Sequence, residues 1–377
     1  MKRFIVLFFA ICIVTIACGG SYTATPLPPT KVPPKVSATA APSTAAPALT
    51  EIPMRVGYGV SGSWFELYFT DPTNPAAKQK TGGPDGPLAA AIDSARLSVD
   101  LAIYSFNLKS VRDALLRAHR RGVQVRVVME SDNMDRAVPQ ALKDAGIPVL
   151  GDRREGLMHD KFMVIDQSKV WTGSMNFTDT GTYNDNSSLM LIRSTKVAAD
   201  YTTEFNEMFV DDKFGKDVVA ATPNPHVTID GTRLDIYFSP DDNIQTKLAG
   251  LLNNAQSSIY FLAYSFTANS LGNVIRQKAA AGVTVAGVME TDQVKSNVGT
   301  EFDPFRAAGL NVKRDGNSGL MHHKVMIIDN QIVVMGSYNF STSAENINDE
   351  NLIVIYNPEI AAQFMREFRR VYAVAQE

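Results

Sequence analysis

The chain has 377 residues, 45% of them hydrophobic and 20% charged, and its formal net charge is −3. These values exclude a peptide, a multispan membrane protein and a disordered chain, and the length suits two or three ordinary domains. The charge balance argues weakly against a nucleic-acid coat protein, because nonspecific phosphate binding needs a basic excess, but it permits a local basic groove. Both cysteines, Cys12 and Cys18, lie in the first 20 residues. Downstream of them the chain has no disulfide, Cys-ligated zinc site or cysteine nucleophile.

The N-terminus has the pattern of an export signal. Lys2 and Arg3 precede the apolar run 4–17, which is short for a membrane span and suits a signal-peptide core. We therefore interpret residues 1–17 as a signal peptide. The sequence around Cys18 resembles the lipobox of bacterial lipoproteins, although Thr15 stands where a leucine is usual. The resemblance implies that Cys18 is lipidated.

The predicted location follows from this signal. A lipidated Cys18 would anchor the protein on the extracytoplasmic face of a bacterial membrane, within the cell envelope. The alternative is an ordinary signal peptide cut near Ala17 and a secreted product. Residues 18–53 complete the N-terminal part, and the stretch from Ser21 to Pro53 holds 8 of the 19 prolines. Such a composition is typical of an extended linker.

From Met54 onward one pattern occurs twice, which predicts two repeats, 54–222 and 223–377. Matching strand, helix and strand patterns follow one another in both copies. The predicted strands are 65–70, 98–106 and 123–129 in the first copy and 234–239, 258–266 and 283–289 in the second. We expect Ser110 and Ser270 to cap the helices between the second and third strands, and Gly122 and Gly282 to end them. This order predicts an α/β protein in which each repeat is a mixed, mostly parallel sheet flanked by helices. The site is then expected at the interface of the repeats.

The repeats agree best in a polar motif, His-x-Lys-x4-Asp, that is followed by Gly-Ser-x-Asn. A constant offset of 163 residues relates the two copies, so no insertion separates these elements in either. The candidate catalytic residues are His159, Lys161, Asp166, His322, Lys324 and Asp329. The candidate phosphate-binding or supporting residues are Ser174, Asn176, Ser337 and Asn339, joined below by Glu350 and Asp185.

Strand geometry gives this spacing a chemical meaning. Residues i and i+2 of a strand share a face, so His159 and Lys161 point the same way, as do Ser174 and Asn176 on a strand paired across a turn at 167–168. Two such sets supply donors for a phosphate oxyanion and two imidazoles for in-line displacement. One histidine can attack phosphorus while the other protonates the leaving alkoxide. The scheme needs no metal and no cofactor.

Asp166 and Asp329 have the opposite strand parity from the lysines. We interpret them as orienting or turn-stabilising groups.

The doubled motif resembles the phospholipase D superfamily, over Met54 to Glu377. The resemblance implies that His159 is the nucleophile and His322 the acid and base. It also implies a carboxylate after the Gly-Ser-x-Asn strand that orients a histidine. The second copy has Glu350 there, whereas the first has Ser187, with Asp185 as the nearest substitute.

Several neighbouring residues allow more than one interpretation. His323 is expected to point away from the site and to be packed or solvated. Tyr104 and Tyr264 could line a groove, but residues of this kind at strand ends are more often core. Glu130 and Glu290 end strands where active-site loops gather, and helix capping explains them equally well.

The sequence leaves the substrate open. Phospholipid hydrolysis is favoured, for example of phosphatidylcholine to phosphatidic acid, and headgroup transfer is the variant reaction. The first alternative is a metal-independent endonuclease. The second is a noncatalytic phosphate-binding lipoprotein, motivated by Ser187. The expected partners are a phospholipid substrate and the membrane, with nucleic acid as the alternative, and the expected state is a monomer with pseudo-twofold repeats.

Overall fold

The computed structural model describes residues 49–377. The predicted signal peptide, Cys18 and most of the predicted linker lie outside the described residues. The first strand, Thr50–Ile52, falls within the range 18–53 that the sequence assigns to the linker. The folded part therefore includes residues on the N-terminal side of Met54.

The first repeat contains nine strands and five α-helices. Its strands are β1 Thr50–Ile52, β2 Tyr58–Ser61, β3 Phe65–Phe69, β4 Ser98–Ile103, β5 Gln124–Met129, β6 Val149–Gly151, β7 Lys161–Ile165, β8 Lys169–Gly173 and β9 Ser188–Arg193. Its helices are α1 Asp85–Asp93, α2 Lys109–Arg120, α3 Ala137–Asp144, α4 Asp179–Tyr183 and α5 Thr195–Phe209.

The second repeat contains eight strands and six α-helices. Its strands are β10 His226–Ile229, β11 Thr232–Ser239, β12 Ser258–Ala263, β13 Thr284–Met289, β14 Asn311–Arg314, β15 Lys324–Ile328, β16 Ile332–Gly336 and β17 Glu350–Tyr356. Its helices are α6 Ile244–Asn253, α7 Asn269–Ala280, α8 Thr291–Ser296, α9 Phe302–Ala307, α10 Thr342–Asn346 and α11 Pro358–Val374.

Each repeat forms its own mixed sheet, which confirms the α/β class with two tandem units flanked by helices. The strand orders are β1-β2-β3-β9-β8-β7-β4-β5-β6 and β10-β11-β17-β16-β15-β12-β13-β14. The expectation that each sheet is mostly parallel is wrong. Only β4–β5–β6 and β12–β13–β14 are parallel, and the other neighbours are antiparallel. Parallel pairing needs a crossover such as α2 or α7, whereas tight turns join the motif strands β7 to β8 and β15 to β16.

Helices α2 and α7 illustrate how the repeat pattern becomes structure. In α2, Val111, Ala114, Leu115 and Ala118 are fully buried on one face. Gly122 and Gly282 follow α2 and α7 with φ of 86° and 94°, a conformation that glycine adopts without strain, so their predicted role is confirmed.

The predicted caps are wrong. Leu108 and Ala268 occupy the N-cap positions of α2 and α7. The hydroxyls of Ser110 and Ser270 instead donate to Asp85 and Gln245, which ties each helix to the helix before it.

Helices α5 and α11 connect the repeats to each other. Helix α5 packs on β4, β5, β7 and β8 of its own sheet and also on β11 of the second sheet. The ring of Tyr201 lies 4.9 Å from that of Phe162 in β7 and 5.1 Å from that of Phe238 in β11. Helix α11 packs on β12, β13, β15 and β16, and Tyr58 of β2 donates to its Glu367. One buried apolar cluster therefore continues across both repeats.

In residues 49–377, no helix combines the length and the apolar character that crossing a bilayer requires.

Candidate active site

Each catalytic motif forms backbone hydrogen bonds with the opposite repeat. His159 N–H donates to the Asp349 carbonyl at 3.0 Å, and Asp349 N–H donates to the Leu157 carbonyl at 2.9 Å. The second motif repeats the pattern, because His322 N–H donates to the Asn186 carbonyl at 2.9 Å. The two motifs therefore meet at the interface of the repeats, where the sequence predicts the site.

Glycine makes this close crossing possible. A Cβ atom at Gly156 would lie 2.0 Å from the Ile347 carbonyl oxygen, and one at Gly319 would lie 2.0 Å from that of Asn184. No side chain fits at either position without moving backbone. The glycine three residues before each motif histidine is thus required by the approach of the other repeat.

The histidine and lysine of each motif lie on the site face. Lys161 Nζ donates to the His159 carbonyl at 2.5 Å, and Lys324 Nζ donates to the His322 carbonyl at 2.9 Å. Both lysines are at most 1% exposed. Burial lowers the pKa of both lysines, that of Lys324 well below its usual value, so the site favours a bound anion that would stabilise their charged form.

Glu350 supports one histidine and not the other. Its Oε2 lies 2.7 Å from His159 Nδ1, so a carboxylate of the second repeat orients a histidine of the first. His322 Nδ1 instead donates to the Ser174 carbonyl at 2.9 Å. With Nδ1–H donating, each ring presents Nε2 as its second nitrogen.

Asp185 does not replace the missing carboxylate. Its Oδ1 accepts the Leu320 N–H at 3.0 Å, as Asn348 accepts that of Leu157 in the other half. The interpretation of Asp185 as a histidine-orienting group is therefore wrong. Ser187, at the position that matches Glu350, is fully buried, and its hydroxyl has no hydrogen-bond partner in the described part of the chain.

The predicted serines and asparagines divide into two kinds. The Ser174 and Ser337 hydroxyls are buried and accept the N–H groups of Ser188 and Asn351, so they support the start of the next strand. Asn176 and Asn339 are half-buried. Their side-chain oxygens have no partner within residues 49–377, which leaves both amides uncommitted. The asparagines are thus the better phosphate ligands of the two types.

Asp166 and Asp329 lie outside the site, at the far ends of β7 and β15. The Asp166 carboxylate accepts the N–H groups of residues 96–98, and the Asp329 carboxylate accepts those of residues 256–258. Their predicted turn-stabilising contacts are therefore present, and neither belongs among the groups that touch a substrate. Each holds the loop before β4 or β12.

Burial controls the electrostatics of the site. Desolvation, followed by the charges of Lys161 and Lys324, lowers the pKa of His159 well below its usual value. Desolvation and the two lysines likewise lower the pKa of His322. The pKa of Lys161 falls to about 7, mainly through burial, and that of Glu350 rises to about 7 for the same reason. A bound phosphate anion would reverse the shift of the lysines, because it stabilises their charged form.

Tyr104 and Tyr264 lie beside the histidines. Their rings meet His159 and His322 edge to face at 5.0 and 4.8 Å, and both are half-buried. Lys324 Nζ lies 4.4 Å from the ring centre of Tyr264. The preference for a core position is therefore wrong for these two tyrosines. In both repeats the tyrosine stands directly before a Ser-Phe pair, just after β4 or β12. This shared position is the sequence signal that could have identified them.

Glu130 and Glu290 support the motifs from behind. Glu130 Oε2 accepts the N–H of Met158, directly before His159, and Glu290 Oε2 accepts that of Met321, directly before His322. Both side chains are buried. Oε1 of each glutamate also accepts the N–H group two residues further on, that of Asp132 or Asp292, so the expected helix capping is present as well. The contact to the motif could not be predicted from the sequence, because it joins segments distant in the chain.

His323 is fully buried, and its Nε2 lies 2.8 Å from Glu367 in α11. The prediction that it points away from the site and is packed is confirmed.

Across residues 49–377, no set of three or more His, Asp or Glu side chains has an arrangement suited to a metal ion.

Comparison with known proteins supports the family resemblance of the doubled motif. The family model described as cardiolipin synthase, PLD-like domain matches residues 88–209 and again residues 248–372. The two matches fall on the two repeats and together cover more than half of the chain.

Curated relatives resemble part of this chain. The mitochondrial cardiolipin hydrolase of Xenopus tropicalis is 30% identical over 131 residues, which are 35% of this chain and 62% of that protein. The phospholipase D of Rickettsia bellii is 26% identical over 156 residues, which are 40% of this chain and 77% of that protein. The matches to the cardiolipin hydrolases thus span 50 to 62% of the length of those relatives.

The fold also matches a solved structure over most of its length. The phosphatidylserine synthase of Haemophilus influenzae superposes with a TM-score of 0.64, covering 82% of this chain and 87% of that one at 14% identity. At this identity the likeness concerns the fold alone. The two matched domains and the site that they share establish that the chain belongs to the phospholipase D superfamily, with one PLD-like domain in each repeat.

Proposed function

We propose that the protein is a phospholipase D-type phosphodiesterase that hydrolyses phospholipid headgroups through a phosphohistidine at His159. The observation that carries this proposal is the 2.7 Å contact between Glu350 and His159 Nδ1. It fixes the tautomer in which Nε2 holds a lone pair, and it stabilises the positive charge of a phosphorylated ring. His322 supplies the second imidazole.

The first step transfers the phosphoryl group to the protein. The bound phosphodiester anion favours the protonated form of His322, against the burial and lysine charges that lower its pKa. The His159 Nε2 lone pair attacks phosphorus, the bond from phosphorus to the headgroup oxygen breaks, and protonated His322 gives its proton to the leaving alkoxide. Lys161 and Lys324 neutralise the nonbridging oxygens, and the Asn176 and Asn339 amides donate to them. The products of this step are the free alcohol and a phosphatidyl group on His159.

The second step returns the protein to its starting state. His322, now neutral, takes a proton from water, and the resulting hydroxide attacks phosphorus as the bond to His159 breaks. Phosphatidic acid leaves, His159 regains its lone pair, and His322 is protonated again. An alcohol in place of water would give headgroup transfer.

Two observations support a lipid substrate, and the proposed location agrees with it. The curated relatives named above are a cardiolipin hydrolase and a phospholipase D. The chain has no basic excess, which a nonspecific nucleic-acid enzyme usually needs. A lipidated Cys18 would also hold the site close to a bilayer, and we propose this location on the extracytoplasmic face.

The test compares substrates side by side with chelator present. Full-length protein in detergent micelles is offered phosphatidylcholine vesicles, single-stranded DNA and double-stranded DNA, with His159→Ala as the control. Release of choline by the wild type alone is the expected result. Cleavage of DNA with intact lipid would replace the proposal by the endonuclease alternative, and inactivity on all substrates would favour the noncatalytic one. Strong inhibition by chelator would contradict the mechanism above.

The proposed anchor has a separate test. Cys18→Ala should move the protein from the membrane pellet to soluble fractions, because it removes the acylated side chain. Unchanged sedimentation with membranes would contradict lipidation.

A further inference from the structure

The two catalytic histidines are held by different means. Glu350 holds the ring of His159 directly. The ring of His322 has only a backbone carbonyl, and the position that matches Glu350 is Ser187. Something else must fix the segment that carries His322 if this histidine is to act as acid and base. Arg370 of α11 lies at the centre of such a support.

Arg370 makes four hydrogen bonds, two to Glu367 within helix α11 and two to the first repeat. Its Nε and Nη2 donate to the two carboxylate oxygens of Glu367 at 2.9 and 2.7 Å. Its Nη1 donates to Asp71 and its Nη2 to the Thr70 carbonyl, both at 2.9 Å. A planar guanidinium suits this fork of acceptors, and a lysine could not make all four bonds.

The first arm of the support reaches the catalytic strand through Glu367. This carboxylate is fully buried and lies 2.8 Å from Nε2 of His323. His323 stands between His322 and Lys324 and points to the opposite face. The pair Glu367–His323 therefore holds the backbone from which both site residues project.

The second arm reaches His322 through Thr70. The Thr70 hydroxyl donates to the Asp185 carbonyl at 2.6 Å and accepts the Ser187 N–H at 2.7 Å. Between these residues, the Asn186 carbonyl accepts the N–H of His322 itself. Arg370 is thus linked to the His322 segment by two routes, one through Glu367 and His323 and the other through Thr70.

The other half of the molecule lacks this device. The residues that match His323, Glu367 and Arg370 at the 163-residue offset are Asp160, Glu204 and Glu207. Three acidic side chains cannot form the ion-paired chain of contacts that Arg370, Glu367 and His323 form. The support occurs on the side where the histidine has no carboxylate of its own.

We propose that Arg370 is a positioning residue that sets His322 for proton transfer, in place of the carboxylate absent at Ser187. The inference rests on the proposed function for its kinetic part. It predicts that loss of Arg370 impairs the reaction mainly where His322 must protonate a leaving group.

The kinetic test uses full-length Arg370→Met with two classes of phosphodiester, one releasing an alkyl alcohol and one releasing p-nitrophenol. A nitrophenolate leaves without protonation, whereas an alkoxide depends on His322. We expect kcat for the alkyl substrate to fall by about 10- to 100-fold, the range typical of lost supporting contacts, and that for the nitrophenyl substrate to fall much less. Equal losses for both substrates, or no loss, would overturn the proposal.

The matched control is Arg366→Met in the same helix. Arg366 lies over the Tyr58 ring at 4.2 Å and pairs with Glu51, without contact to the motif. Arg366→Met should leave kcat for both substrates unchanged. The double variant Glu367→Gln with Arg370→Met should behave like Arg370→Met alone, which separates lost positioning from the effect of an unpaired buried carboxylate.

A measurement that does not depend on turnover keeps the inference separate from the proposed function. The chain has five histidines, so ring nitrogen resonances of the labelled protein are few and can be assigned by substitution. Arg370→Met should shift or broaden the His322 signals and leave those of His159 in place. Unchanged His322 signals would overturn the proposal even in an inactive protein, whereas absence of activity in the wild type would count against the proposed function alone.

Discussion

Glu350 of the second repeat contacts His159 of the first at 2.7 Å, and the matching position of the first repeat is Ser187. The two imidazoles are therefore chemically unequal, although the sequence around them is nearly symmetric. A phosphohistidine carries a positive ring that a neighbouring carboxylate stabilises, and only His159 has one. The structure thus gives a physical reason for the nucleophile role that the family resemblance implies for His159.

The two histidines should fail in different ways when removed. His159→Ala should abolish both turnover and covalent labelling by a phosphodiester, because His322, the other imidazole of the site, has no carboxylate to stabilise a phosphorylated ring. His322→Ala should still form the phosphohistidine with a nitrophenyl substrate but hydrolyse it slowly. Acid-labile, alkali-stable labelling of trapped protein measures both results. Labelling of His159→Ala would contradict the assignment.

Loss of the Glu350 carboxylate should impair catalysis without preventing folding. Glu350→Gln keeps the size of the side chain and removes the charge that stabilises the His159 cation, so we expect kcat/KM to fall about 10- to 100-fold. Steady-state kinetics with matched thermal unfolding checks this. Asp185→Asn is the control, since its carboxylate contacts the Leu320 N–H and no histidine. A larger kinetic loss in Asp185→Asn than in Glu350→Gln would reverse this conclusion.

The pH dependence of kcat/KM should reflect the titration of a buried lysine. The pKa of Lys161 lies at about 7, mainly because burial disfavours the ammonium. This ammonium loses its proton as pH rises, so the attraction for the phosphate anion and kcat/KM should both decline above about pH 7. Bound phosphate raises the lysine pKa, so kcat should decline at higher pH than kcat/KM. Lys161→Arg should move the decline in kcat/KM upward, because arginine stays charged. The measurement is made at low ionic strength, in roughly tens of millimolar salt. A kcat/KM that stays constant between about pH 6 and 9 would contradict this assignment.

Asp329 should matter for stability and not for chemistry. Its carboxylate accepts three consecutive N–H groups, and these bonds hold its pKa below the usual value despite partial burial. Asp329→Ala should lower the free energy of unfolding by about 1–3 kcal/mol and leave kcat nearly unchanged below the unfolding transition. Urea denaturation measures the first quantity. Asp303→Ala, at an exposed position, is the control and should change stability by less than about 0.5 kcal/mol. A large loss of kcat in a folded Asp329→Ala would return Asp329 to the catalytic set.

Much of the fold follows from local pattern. The apolar positions of α2 predict its buried face, and the spacing of the polar motif residues predicts that β7 pairs with β8 across a turn at 167–168. The constant 163-residue offset predicts the tandem architecture and the meeting of the two motifs. These features depend on residues close together in the chain, or on a repeat, and both are visible without coordinates.

Other features depend on strand pairing and on which repeat approaches which. Mostly antiparallel pairing was missed because hydrophobic runs mark buried strands without giving their direction. The proposed substitution of Asp185 for a carboxylate failed because proximity in sequence does not determine which N–H group a side chain meets. The half-buried positions of Tyr104 and Tyr264 beside the histidines were likewise invisible.

The sequence by itself determined the chemistry available to this protein: two histidines, two lysines and two asparagines at spacings that place each set on one strand face. The tertiary structure alone decided how the two sets differ. Glu350 crosses to His159, and Arg370 joins Thr70 and Glu367 around the segment of His322. Glu350 and His159 are 191 positions apart in the chain, and Arg370 and Thr70 are 300 positions apart. Only the packing of one repeat against the other brings such residues within hydrogen-bond distance.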